Sequence, residues 1–125
     1  MMALTMAARS PYATADMASW LAEAVATFTL VLAILGGLRY APPAIPWLVG
    51  LTITAAYWFT SSTSFANPAV TIARGFTTTF AGIAINHVPA FIVAQMIGAA
   101  VAALIAQALF VVDQKLSKIV VAPRE

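Results

Sequence analysis

A chain of 125 residues that is 62% hydrophobic and 8% charged, with a mean hydropathy of +0.95, lacks the polar surface a soluble domain of this size needs. Its net charge of +2 comes from six basic and four acidic residues, most of them near chain ends or turns, so there is no basic face for nucleic acid. The absence of Cys removes disulfide, thiol and cysteine-ligated metal chemistry.

In chain order, Met1 to Tyr12 carries one charge, Arg9, and has no apolar core followed by a small-residue cleavage site. It reads as part of a tail over 1–16 rather than a cleaved signal. A spanning helix needs roughly 20 mostly apolar residues to cross about 30 Å of hydrocarbon, and three runs meet that length. The spacing predicts spans over about 18–38, 47–65 and 89–112, with a cytoplasmic tail over 113–125. Glu23 is the single charge inside these runs, and no charged side chain lies between Arg39 and Arg74 or between Arg74 and Asp113. Gly36, Gly37, Pro42, Pro43 and Pro46 separate the first two runs, and His87, Val88 and Pro89 lead into the third. Period-two alternation is absent, which excludes a sheet. The fold class is therefore all-α and transmembrane, with the unit at 17–112.

The segment between the second and third runs is different. Thr60 to Ser64 is a hydroxyl-rich stretch, and Asn67-Pro68 supplies a favoured N-cap followed by a favoured first helical residue. Ala69, Ala73, Phe76 and Phe80 recur at helical spacing, predicting a helix over 68–79 of about 18 Å, half a bilayer. A half-spanning helix places irregular backbone at membrane depth, which survives only when buried in protein or lining water. The helix N-terminus is electropositive and repels cations, a device by which a pore passes neutral solutes. The Asn67 amide has one side free to cap its helix and one to donate to a passing hydroxyl.

These residues resemble the aquaporin and glycerol-facilitator family. Asn67-Pro68-Ala69 is its Asn-Pro-Ala box, flanked by Thr63-Ser64-Phe65-Ala66 and Val70-Thr71. Glu23 with Thr27-Phe28 looks like the Glu-x-x-x-Thr-Phe pattern that opens each half of such channels. Gly50-Leu51 and Gln95 with Gly98-Ala99 look like the packing points of the next and last spans. The resemblance covers Trp20 to about Phe110, one repeat where the family has two inverted ones, and so implies half of a channel. Val70-Thr71 is commoner in the first repeat, whereas the residues before the box look like the second. Arg39, Lys115, Lys118 and Arg124 fall on one side of three spans against Arg9 and Arg74 on the other. The positive-inside rule then puts the C-terminus in the cytoplasm of an inner-membrane, multi-pass protein, as a second repeat requires.

By the resemblance, Glu23 accepts backbone N–H bonds from the loop before Asn67; the alternative is a side chain one turn in that reaches the headgroups. Arg74 reads either as a pore or loop-anchoring cation or as a snorkelling residue. His87 reads as interfacial. The constriction positions this half would supply map to Ala55, Ser64 and Val70. Many members carry Arg where Val70 stands, so the set implies a wide, weakly polar constriction passing water, glycerol and undissociated arsenite. The partners implied are membrane lipid, small neutral solutes and a complementary half or further copies, with no cofactor and no metal. One His, no Cys and no glycine-rich phosphate loop leave no enzymatic constellation. Two other classes stand beside the channel half: a non-conducting remnant, and a small proton-coupled exporter, against which the half-helix argues.

Overall fold

A computed structural model describes residues 17–60, 64–77, 79 and 82–121. The tail expected at 1–16, residues 61–63 of the hydroxyl run, Phe80 and Arg124 lie outside the described residues. Four helices follow in order: α1 (Met17–Tyr40), α2 (Ile45–Phe59), α3 (Pro68–Arg74) and α4 (Val88–Val121). Short 3-10 turns at Pro42–Ala44 and Ile85–His87 lead into α2 and α4. No strand occurs among the described residues, and the architecture is all-α.

Two helices, α1 and α4, are long and apolar enough to cross a membrane. α2, with 15 residues, is about 22 Å long and shorter than the 30 Å hydrocarbon core as a regular helix. The helix expected over 47–65 begins at Ile45, with Pro46 in its first turn, and stops at Phe59. It stops at Thr60, which is extended (φ −96°, ψ 136°); the Thr60 N–H and hydroxyl both donate back to the Ala56 carbonyl, at 3.0 and 2.8 Å.

The half-helix expected over 68–79 is also shorter, with seven residues or about 10 Å, and ends at Arg74. Gly75 follows at a point of close approach. A β-carbon there would lie 2.8 Å from Val88 Cγ2 and 3.0 Å from Ile85 Cδ1, so the end of α3 is seated against the start of α4. The chain turns back, with Ile83 N donating to the Arg74 carbonyl at 3.2 Å. At the other end, the tail expected from residue 113 remains helical to Val121, since Asp113, Gln114 and Lys115 break no helix once outside the apolar run.

α1 and α4 run parallel. Glu23 meets Gln95 near one end, and Arg39 meets Asp113 at 3.8 Å near the other, where Tyr40 and Phe110 form an edge-on aromatic pair at 5.9 Å. Between these points the backbones approach so closely that a β-carbon on Gly98 would run into the Ala24 carbonyl oxygen. Small residues at such a crossing are how membrane helices gain packing without a hydrophobic driving force. The core joins the re-entrant segment to the helices: Phe65, Ile83, Val88 and Phe91 form one cluster, and Ala26, Ala56 and Ala66 another. Large apolar side chains including Leu21, Trp47, Trp58 and Phe76 are exposed on the outside.

Candidate functional site

The site is built where α3 begins, between α1 and α4. Asn67 is extended (φ −157°, ψ 122°) and its Oδ1 accepts from Ala69 N at 2.8 Å and Val70 N at 3.5 Å. Pro68 at the first helical position has no N–H to leave unpaired. With Oδ1 engaged in the cap, the amide NH₂ of this exposed residue is its remaining polar end. Asn67 and Pro68 line a cleft of about 270 Å³ together with Thr27 and Leu30 of α1 and Gln95 and Met96 of α4. Ala69, the third residue of the box, is exposed.

The approach to Asn67 is unusual backbone. Ser64 and Ala66 have φ of 51° and 46°, in the left-handed region that costs a residue with a β-carbon about 1 kcal/mol or more. That conformation turns the consecutive N–H groups of Phe65 and Ala66 toward one anion. They donate to Glu23 Oε1 at 2.9 Å and Oε2 at 3.0 Å, and Glu23 is fully buried. Charge-assisted bonds of this kind are roughly twice as strong as neutral ones, which offsets the backbone strain. Glu23 thus faces the loop and not the headgroups.

Two residues outside the expected site complete the arrangement. Gln95, fully buried on α4, donates through Nε2 to Glu23 Oε2 at 3.0 Å and to Thr71 Oγ1 at 2.8 Å. Thr71, fully buried on α3, donates in turn to the Asn67 carbonyl at 3.0 Å. Gln95 is one of three amides, with Asn86 and Gln107, in the 38-residue uncharged run from 75 to 112, and its pairing with Gly98-Ala99 marks it in sequence only as a packing point. Thr71 carried no signal beyond its place in the box flank.

Arg74 stands with its guanidinium carbon 4.7 Å from the centre of the Phe65 ring, while its carbonyl accepts from Thr77 and Ile83. The guanidinium of half-buried Arg74 thus makes a cation–π contact with a residue of the loop. Ala55, Ser64 and Val70 do not share one environment. Ala55 is exposed on α2, and Ser64 is buried, its hydroxyl without a partner among the described residues. Val70 is half-buried and packs against the Phe65 and Phe91 cluster. His87 is half-buried in the turn before α4. No group of three or more His, Cys, Asp or Glu suited to a metal ion occurs among the described residues.

Sequence comparison bears on the same elements. The Major intrinsic protein family matches residues 8–124, nearly the whole chain. The chain belongs to this family. Its members are membrane channels for small solutes, not enzymes, and the long apolar helices α1 and α4 fit an integral membrane protein. The chain is also 61% identical over 82 residues to Aquaglyceroporin AqpS of Rhizobium meliloti (strain 1021). That match takes in 66% of this chain and 35% of the relative, so the chain spans about a third of the length of the curated relative it matches. No solved structure gives a significant match.

Proposed function

We propose that this chain is one half of a passive channel for water and small uncharged solutes, glycerol and arsenite among them. The observation that carries the reading is the Asn67 amide, capping α3 with one end and facing an open cleft between two membrane-length helices with the other. A hydroxyl compound both donates and accepts, and it exchanges water for such a donor at little cost, whereas a cation meets only a positive helix end. The relative's name, aquaglyceroporin, supports a solute of this class.

On this reading α2 belongs to the second crossing, α3 re-enters, α4 makes the third crossing, and the C-terminus lies in the cytoplasm of the inner membrane. The cleft beside Asn67 and Pro68 is the side on which a complementary half, or further copies of this chain, closes the pore. Ala55, Ser64 and Val70 are the constriction positions of this reading, all small and uncharged and so wide enough for polyols, although Ala55 is exposed, Val70 half-buried and Ser64 buried in the loop.

The test is flux in proteoliposomes holding the chain alone and the chain co-expressed with a matching first repeat. The co-expressed pair passes water, glycerol and arsenite, and blue-native electrophoresis resolves it as one assembly. In that assembly Val70→Arg cuts glycerol and arsenite flux well below water flux, and Arg74→Ala changes both little. A pair that assembles and conducts nothing leaves the non-conducting remnant as the correct reading; glycerol exclusion by the unmodified pair refutes the wide constriction.

A further inference from the structure

Gln95 occupies a position that the channel reading does not use. It is fully buried about two turns into an apolar helix, where an amide is costly unless satisfied. Its Nε2 reaches two elements at once, Glu23 on α1 and Thr71 on α3. The orientation of the amide follows from its partners. Glu23 Oε2 already accepts from Ala66 N, and the Thr71 hydroxyl proton is committed to the Asn67 carbonyl, so both present only lone pairs to Gln95. Only the NH₂ end satisfies them, which leaves Oε1 buried with no partner among the described residues. Leaving an acceptor unsatisfied in order to aim both donors marks the amide as an orienting group.

We infer that Gln95 is the positioning residue of the site: one buried amide sets where the loop and the start of α3 sit relative to the membrane-length helices. Through Glu23 it fixes the two N–H groups of Phe65 and Ala66, and through Thr71 it fixes the Asn67 carbonyl. Every residue from 65 to 67 is thereby tied to α4 by two bonds in series. As a statement about solute passage this rests on the channel reading; as a statement about the loop it does not.

The experiment is backbone amide exchange at Phe65 and Ala66 in the full-length chain purified in lipid nanodiscs, for wild type, Gln95→Met and Gln95→Glu. Methionine keeps the length and removes the donors. Exchange at both amides should rise about tenfold or more over wild type, the effect of losing one hydrogen bond to a charged group, and equally at every pH. Glutamate also removes the donors and adds a second acid against Glu23. The charged or titratable groups on the elements packed against α4 are Glu23 of α1, Arg74 of α3 and His87 of the turn that leads into α4, while Arg39, Tyr40 and Asp113 lie at the far end. A Glu side chain at 95 regains one donor only when it binds a proton. Relative to wild type at the same pH, exchange in Gln95→Glu should therefore be fast near pH 8 and fall toward the wild-type rate near about pH 5.

Wild-type exchange in a folded Gln95→Met chain overturns the inference. So does a pH-independent ratio in Gln95→Glu, which decides the matter if the methionine variant does not fold. In proteoliposomes where the wild-type assembly conducts, glycerol flux through Gln95→Glu should recover as pH falls. If the wild-type assembly does not conduct, the channel reading fails while the exchange data still judge Gln95.

Discussion

Asn67 and Glu23 divide the work of the re-entrant segment between a donor and an acceptor. Asn67→Asp keeps an oxygen to cap Ala69 N, so the fold is retained, but it exchanges the free NH₂ for a negative charge at the cleft. In an assembled channel, cation current should appear in patch or flux recordings, and glycerol flux should fall several-fold, as losing a hydrogen bond of about 1 kcal/mol implies. Unchanged flux with no current would remove Asn67 from the pore. Glu23→Gln acts on stability instead. A Gln side chain at 23 has one oxygen and one NH₂, so either Phe65 N or Ala66 N faces a donor and is left buried and unpaired. That should cost about 1–3 kcal/mol, read as a lower midpoint in thermal or denaturant unfolding in detergent. A variant of wild-type stability would show that the loop is held by other means.

The helices differ in how much of them the sequence disclosed. α1 covers the run expected over 18–38 and extends to Tyr40, because Gly36 and Gly37 stay helical and the chain leaves the helix only before Pro42. The start of α3 was equally plain, since Asn-Pro states a cap and a first turn locally. Its end was not. Phe76 and Phe80 keep helical spacing, yet Gly75 is pressed against Val88 and Ile85, a contact across sequence that no local pattern contains. α2 ends early because Thr60 turns to an extended conformation, a change that the apolar run leading up to it does not announce. α4 ran long because leaving the hydrocarbon ends an apolar run without ending a helix. Of the site, Glu23 and the box stood out as a charge and a motif, while Gln95 and Thr71 take their meaning only from each other. Gly98 belongs to this scale too. Gly98→Ala drives a methyl into the Ala24 carbonyl and pushes α4 off α1, which should destabilise by about 1–3 kcal/mol. Because Glu23 and Gln95 sit one turn from that crossing, the same variant should speed amide exchange at Phe65 and Ala66; normal stability would mean the helices separate freely there.

For the molecule as a whole, the proposed direction of insertion rests on the distribution of charge. Arg39, Lys115 and Lys118 gather at the end of α1 and along the end of α4, whereas Arg74 lies toward the other face. A C-terminal green fluorescent protein fusion should fluoresce in cells and a C-terminal alkaline phosphatase fusion should be inactive. The reverse pattern would invert the proposed orientation. The Arg39–Asp113 pair, part-exposed at 3.8 Å, adds little to stability by itself, but it holds the ends of the two long helices in register. That register has an arithmetical outcome. Since α1 and α4 point the same way, the proposed topology has α1 entered from one face and α4 left on the opposite one. A second copy joined head to tail would begin where the first leaves off and would thread the bilayer upside down, with no added linker helix. Gene duplication alone would therefore convert this unit into a pair of mirror-facing halves, and separate chains would need a mixed population of orientations to reach the same arrangement.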